Sequence, residues 1–364
     1  MKILVIVESP GKIKKIENYL GKDYIVKASF GHCRDLDPKS LSIDVDNNFN
    51  PNYKIIDGKS KVVKELRNLA KDCSDVILAA DEDREGEMIA ASLRDLLHLK
   101  NPKRIVFHEI TKKAILNAVK NPTVINEDMV YAQQARRLLD RIVGYKLSPL
   151  LWKRMQGLCS AGRVQSVVVK IVIEKENKIN NSISTPYFKI SGIFQHKKTK
   201  IDAVLQKGRK MVQLESNQDV MTIFRKINSE TIFKVVDVTD RESIRKAPAP
   251  YTTSTLQQDA SSRLRFNVKR TMDAAQKLYE AGFITYMRTD STNLSKDAMD
   301  ACKKYIVDNY GKKYYQGKQH VKKSKGAQEA HEAIRPTNIE LLNLSDEFDD
   351  LEQKIYKLIW KRTV

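Results

Sequence analysis

Apolar and polar positions follow different periods along this chain, and the changes of period divide it. Lys2-Ile3-Leu4-Val5-Ile6-Val7 is a continuous apolar run, as expected of a strand buried on both faces of a parallel sheet. It ends at Glu8-Ser9-Pro10-Gly11-Lys12, after which Ile13, Ile16, Tyr19 and Leu20 mark a helix closed near Gly21. A second extended piece ends at Ser29 to Leu36. The polar, asparagine-bearing stretch 37–61 reads as an excursion, and Val62, Val63, Leu66 and Leu69 face one side of the next helix. Val76 to Ala80 is another parallel-type strand, followed by an acidic loop and a helix over Met88 to Leu97. Val106 to Ile110 is read as a short third strand and Lys112 to Val119 as a helix. This alternation predicts an α/β domain over residues 1–125.

Beyond it the period becomes helical, at Tyr131 to Tyr145 and Val167 to Glu176, which predicts a helical domain over 126–185. From Tyr187 to Val238 the alternation has period two, so 186–245 is expected to be an antiparallel β domain that includes a strand at Thr231 to Val238. Lys246-Ala247-Pro248-Ala249-Pro250 marks a boundary. A helical domain over 246–364 then opens on the hydroxyl-rich Thr252 to Thr255 and closes with a helix at Leu351 to Trp360. Within it, Met272, Ala275, Leu278 and Tyr279 mark a helix over Thr271 to Glu280. Gly282 stands where a C-terminal capping glycine belongs, and Ile284 to Met287 should be extended.

Composition adds one decisive number. The 364 residues carry a net charge of +20, which implies a polyanionic partner, most often nucleic acid. The lysines are spread along the chain, as suits contact with a phosphate backbone along a groove. Cys33, Cys73, Cys159 and Cys302 stand far apart with no C-x-x-C pair, which excludes a zinc ribbon, provides no disulfide framework and points to a reducing, cytoplasmic setting. No apolar run reaches the ~20 residues of a membrane span, and the first residues read as a strand rather than a leader.

Candidate chemistry sits at the strand ends. Asp81-Glu82-Asp83-Arg84-Glu85-Gly86-Glu87 holds five carboxylates in seven residues. Helix capping needs one or two; five repel one another unless a cation is bound. Oxygen-only donors argue for Mg²⁺ over zinc, with Asp81, Asp83 and Glu85 as its ligands. A nucleotide-binding phosphate loop is the obvious rival for Glu8 to Lys12, yet its motif is absent there. The only Gly-Lys-Ser, Gly58 to Ser60, has Tyr53 where that motif needs its first glycine. Arg136, Arg137, Arg141 and Arg163 lie on helices or at a helix start, where they suit phosphates or buried pairs with Asp140 or Glu174. Tyr286 alone reads as a strand aromatic; a metal site and a DNA surface elsewhere in the chain make it a candidate nucleophile.

Taken together, these residues resemble a known family. Val5 to Lys12 with Ala80 to Glu87 resembles the Toprim fold, with its catalytic glutamate and D-x-D-x-E metal motif. Gly282 to Ser291 resembles the active-site tyrosine segment of type IA DNA topoisomerases. Arg137 to Tyr145, Ala161 to Ser166, Tyr251 to Gln258 and His331 to Thr337 resemble the family's other motifs, in its order, and Met287 is similar to the bacterial topoisomerase I branch. The resemblance implies a multidomain α+β toroidal core: an α/β Toprim domain followed by helical and β domains, incomplete at the C-terminus because the family continues beyond Val364.

It further implies that Tyr286 attacks one DNA strand to give a 5′-phosphotyrosine, which conserves the bond energy so that rejoining needs no nucleotide cofactor. Arg288 would activate the phenol and stabilise charge on phosphate, Glu8 would protonate the leaving oxygen, and Lys12 would hold the phosphate. Glu8, Asp81, Asp83 and Glu85 would hold Mg²⁺ for rejoining. His32, Arg34, Arg137, Asp140, Arg141, Arg163, Gln165, Ser166, Ser254, Thr255, Asp290, His331 and Arg335 would contact DNA, with Asp290 and His331 also orienting Arg288. The expected activity is relaxation of negatively supercoiled DNA by a cytoplasmic, nucleoid-associated monomer acting on single-stranded segments. A chain ending at Val364 is expected to bind or cleave single strands poorly and not to relax supercoils. The rivals are a DNA-binding remnant of the scaffold and a Toprim nuclease, which leave the acidic motif and Tyr286, respectively, unexplained.

Overall fold

The structure, a computed structural model, describes residues 2–155, 159–208, 210–243, 247–320 and 332–364. It divides into two compact units, residues 1–163 with 246–364, and residues 164–245.

The first unit is built on β1 (Ile3–Val7), with α1 (Ile13–Leu20) leading to β2 (Tyr24–Ala28). The excursion carries the short strands β3 (Arg34–Leu36), β4 (Ile43–Asp44), β5 (Asn50–Pro51) and β6 (Tyr53–Ile55), paired as two small antiparallel ladders, β3 with β6 and β4 with β5. Then follow α2 (Ser60–Asp72), β7 (Asp75–Ala79), α3 (Arg84–Leu96), β8 (Lys103–Arg104), α4 (Lys112–Lys120) and the long α5 (Glu127–Trp152). The main sheet has the order β2-β1-β7-β8, all parallel, with Val7 level with Ala79. Glu8 and Asp81 therefore leave neighbouring strands at the same, carboxyl, end.

The third strand lies at Lys103–Arg104, not at the expected Val106 to Ile110. Arg104 is fully buried and spends its guanidinium on backbone carbonyls and Glu87, which ends the ladder early; Ile105, Phe107 and Ile110 are core residues without strand pairing.

The second unit holds α6 (Gln165–Asn180), the hairpin of β9 (Ser191–His196) and β10 (Thr199–Val204), the small pair β11 (Gln206–Lys207) and β12 (Lys210–Met211), and α7 (Asn217–Phe224). The segment 231–238, expected as a strand, forms none. Its alternation is real, but among the described residues no backbone pairs with it, and Ile232 and Val236 stay exposed. The division between units falls inside the segment read as one helical domain over 126–185, because α5 packs along α3 of the first unit.

Returning to the first unit, α8 (Thr253–Leu264), α9 (Val268–Glu280), α10 (Lys296–Tyr310) and α11 (Asp350–Thr363) complete the chain. The two faces of the sheet have different neighbours. Leu4, Ile6, Val76 and Leu78 pack with α2 and α3 through Val63, Leu66, Ile89 and Leu93. Val5, Val7, Ile77 and Ala79 share one core with Leu256, Ala275, Leu278, Tyr279, Tyr286 and Ile355 from the carboxyl-terminal helices. Burying each such side chain contributes about 1.5–3 kcal/mol, so this shared core binds the tyrosine-bearing segment firmly to the sheet.

After α9, Gly282 adopts φ +71°, as its place after the helix requires. Ile284 to Met287, expected as a strand, makes only one bridge, Ile284 to Pro336. Its backbone instead alternates between partners: Thr285 N donates to Arg335 O at 2.9 Å and Tyr286 N to His108 O at 2.8 Å. Among the described residues no single strand lies alongside, so no ladder forms. A Cβ on Gly282 would lie 2.5 Å from the Ile110 carbonyl oxygen. Gly282→Ala should therefore lower stability by about 2 kcal/mol or more, read as a shifted urea midpoint with unchanged slope.

Candidate active site

The carboxylates gather where β1 and β7 end. Lys12 is 0% exposed, and its Nζ is paired with Asp81 Oδ1. A buried ammonium requires such a partner, since breaking a buried pair costs about 3–5 kcal/mol. Asp81 is held from behind by Arg104, whose guanidinium donates to Ala80 O at 2.7 Å, to Asp81 O at 2.8 Å and to Glu87 Oε1 at 2.9 Å. Glu87, the last of the acidic cluster, thus serves structure; its other oxygen accepts from Asn126 N at 3.0 Å.

Of the two roles weighed for the acidic loop, capping is the one the hydrogen bonds show. Asp83 caps α3, accepting from Gly86 N at 2.7 Å. Gly86 has to be glycine, since a Cβ there would stand 2.0 Å from Asp81 O. The helix starts at Arg84, four residues before the expected Met88, so Glu85 lies on its first turn rather than alternating along a strand. Glu85 Oε1 lies 3.3 Å from His32 Nε2, and its Oε2 lies 3.5 Å from the Arg288 guanidinium.

Tyr286 comes from the other end of the chain and meets this cluster directly. Its hydroxyl donates to Asp83 Oδ2 at 2.6 Å across 203 residues of sequence. The residue is only 4% exposed. Burial first, then Asp83 and Asp81, hold the phenol far above its ordinary pKa, with Arg288 opposing them. Arg288, 3.6 Å from Asp83, keeps a side chain 55% exposed. Burial, then the negative charge of Asp81, pushes the Glu8 carboxyl up to about 7, with Lys12 opposing. Glu8, Asp81, Asp83, Tyr286 and Arg288 together line a cavity of about 240 Å³, walled also by Met272, Asp273 and Gln276 of α9.

Thr253 at the start of α8 steadies the tyrosine segment: its hydroxyl lies 2.7 Å from Met287 O and accepts from Thr289 N at 2.9 Å. Thr252 and Thr255 form the capping box of that helix, and the Ser254 hydroxyl lies 3.2 Å from that of Thr252. Sequence reading missed Thr253, Arg104 and Tyr279. The hydroxyl-rich run was visible, but its contacts depend on distant segments.

As donors, the four acids fit Mg²⁺: all offer oxygen, and Mg²⁺ is commonly held by one or two carboxylates with water and phosphate. Among the described residues no three His, Cys, Asp or Glu side chains form a ready cage. Asp81 is committed to Lys12, Asp83 to Tyr286, and Glu85 to His32 and Arg288.

A second cavity of about 710 Å³ shares Asp83, Glu85 and Arg288 and adds Arg136, Arg137, Asp140, Ser254 and Asp290. A third, of about 600 Å³, continues along α5 past Arg137, Asp140, Arg141 and Tyr145. Several of the basic residues along these cavities are paired with acids or carbonyls. Arg137 grips Asp35, Arg163 Nε donates to Asp140 at 2.8 Å, and Arg34 donates to Asp95 at 2.7 Å. Arg141 donates to Leu36 O at 3.3 Å and Asp37 O at 3.3 Å. Arg335 is 7% exposed and lies between Glu332, at 2.5 Å, and Glu109, at 3.0 Å. Gln165 and Ser166 open α6 in the second unit, and His331 lies outside the described residues. The charged partners of Arg288 are Asp83 and Glu85, while Asp290 lines the neighbouring cavity.

Comparison with known proteins shows the family. The Toprim domain pattern matches residues 3–110, and the DNA topoisomerase pattern matches residues 124–364. The prokaryotic-type DNA topoisomerase 1 of Acanthamoeba polyphaga mimivirus is 47% identical over 383 residues, which span 100% of this chain and 45% of that protein. The full-length topoisomerase I from Thermotoga maritima, solved in a monoclinic crystal form, superposes with a TM-score of 0.82 at 38% identity, over 99% of this chain and 60% of that one. The chain thus spans less than half of the viral relative and somewhat more than half of the solved one. The order of its domains, the matched residues and the identity establish that the chain belongs to the type IA DNA topoisomerase family.

Proposed function

We propose that the chain carries the breakage and rejoining chemistry of a type IA topoisomerase, acting on single-stranded segments of negatively supercoiled DNA. The observation that carries this reading is the meeting of Tyr286 with Asp83 at 2.6 Å, in a cavity that also contains Glu8. A nuclease using only the acidic loop would have no need for that tyrosine.

In the proposed step, a phosphodiester enters the cavity beside the phenol, which keeps its hydrogen bond to Asp83. The Tyr286 oxygen bonds to phosphorus, its proton passing to Asp83, which already accepts it. The bond from phosphorus to the 3′-oxygen breaks, and that oxygen takes a proton from Glu8, whose raised pKa keeps a protonated fraction at neutral pH. Lys12 and Arg288 balance the charge on the phosphate. Rejoining reverses these transfers with no nucleotide. Bound Mg²⁺, held by Glu8, Asp81, Asp83 and Glu85, would neutralise charge beside the broken end during rejoining. His32, Arg34, Arg137, Asp140, Arg141, Arg163, Ser254 and Asp290 would guide the strand along the cavities, with Gln165, Ser166, Thr255, His331 and Arg335 the remaining candidates for DNA contact. Relaxation of supercoils by the full length that the family shares, monomeric state and action in the cytoplasm belong to the same proposal, as do the four domain ranges given above.

Incubation with labelled single-stranded DNA and Mg²⁺, followed by denaturation, should leave DNA attached to the protein. Tyr286→Phe should abolish the attachment; free cut ends that persist in that variant would instead indicate a nuclease, and neither product a DNA-binding scaffold. Glu8→Gln cannot supply the proton to the leaving oxygen, so single-turnover attachment should slow by about 100-fold or more while oligonucleotide affinity stays within about twofold.

A further inference from the structure

One buried side chain at the site takes part in none of these steps. Tyr279, on α9, is fully buried. Its hydroxyl donates to Asp81 Oδ1 at 3.2 Å, the oxygen that Lys12 also engages. The Lys12 ammonium stands 4.9 Å from the centre of the Tyr279 ring. That same ring meets the ring of Tyr286 at a steep angle, with centroids 5.2 Å apart and planes inclined at 63°.

Tyr279 therefore touches the nucleophile, the phosphate-holding lysine and a carboxylate at the end of β7 at once. A side chain that only filled space would need none of these contacts. Ring pairs favour tilted or offset arrangements, so the position of one ring restricts the other. An ammonium near an aromatic ring is drawn to its electron-rich face, most strongly away from water. A hydroxyl donating to a carboxylate fixes the third point. The helix that carries Tyr279 also supplies Met272, Asp273 and Gln276 to the same cavity wall, so the ring is set by a rigid element rather than by a loop.

We infer that Tyr279 is a positioning residue for the covalent step: its ring sets the attack orientation of Tyr286 and anchors Lys12 beside the phosphate. The inference rests on the function proposed above and deepens it. Tyr279 itself forms no bond to DNA and transfers no proton. What it supplies is alignment, and misplacing a reacting group by about 1 Å can lower a rate by about 100-fold.

The test compares Tyr279→Phe, which keeps the ring, with Tyr279→Leu and Tyr279→Met, which do not. The probe is a single-stranded oligonucleotide whose upstream fragment is too short to stay bound after cleavage, so attachment accumulates. Attachment rates are measured at saturating oligonucleotide and corrected for the folded fraction seen by circular dichroism; affinity is measured by fluorescence anisotropy. The expected result is a loss of at least about tenfold in rate for Leu and Met, recovery to within about threefold of wild type for Phe, and affinity unchanged in all three. Equal rates for Phe and the two non-aromatic variants would overturn the inference. So would a loss in Leu and Met confined to affinity or to the unfolded fraction. Attachment that persists in Tyr286→Phe would overturn the proposed function itself. Attachment that depends on Tyr286 but ignores the ring at 279 would overturn this inference alone.

Discussion

The parallel register of β1 and β7 is the constraint from which the site follows. Both strands are buried on both faces, so their side chains cannot be polar until the chain leaves the sheet. Polar chemistry is thereby pushed to the carboxyl edge, where Glu8 and Asp81 emerge side by side. Acids that close together at the rim of an apolar sheet need compensation. Lys12 answers Asp81, Arg104 collects the carbonyls of the strand end, and the first turn of α3 takes Asp83 as its cap.

The second face of the sheet explains how a tyrosine from the far end of the chain reaches these acids. Val5, Val7, Ile77 and Ala79 share a core with α8, α9 and α11, so Tyr279 and Tyr286 are carried in with the packing. That packing has an opposing effect. The burial that places the Tyr286 hydroxyl against Asp83 also raises its pKa, so this arrangement favours the protonated phenol. On the proposed function, Asp83 takes the proton it already accepts as the phenol oxygen bonds to phosphorus, and Arg288 offsets the charge that develops there.

The elements with strong local periodicity were legible in the sequence. β1, α1, α9 and α11 lie within a few residues of expectation, and Gly282 takes the left-handed conformation expected of it. What failed depended on partners that period alone does not reveal. Val106 to Ile110 is apolar because it enters the core, while the ladder ends at the buried Arg104. The segment 231–238 alternates without a paired neighbour among the described residues. The tyrosine segment distributes its hydrogen bonds among three separate stretches. At the site, the acidic cluster and Tyr286 stood out by composition and by resemblance. Tyr279, however, looked like one more apolar position on a helix face, because its hydroxyl finds Asp81 across 198 residues and its ring meets Tyr286 only through the turn after α9.

A last consequence concerns charge. A net charge of +20 suggests arginines facing the cavities without acidic partners, as Arg136 does among the described residues. The structure instead pairs Arg137 with Asp35, Arg163 with Asp140, Arg34 with Asp95, and Arg288 with Asp83 and Glu85. Each exposed pair is worth little on its own, roughly 0–1 kcal/mol, so exchanging a carboxylate for a DNA phosphate is nearly neutral for the protein. The arginines are thus held in place before DNA arrives without being held tightly. On the proposed function, surface lysines would supply the long-range attraction and the acid-paired arginines geometry at short range. On the proposed function, that division lets a strand enter, move along the track and leave, which a set of bare arginines would oppose by holding the phosphates more strongly.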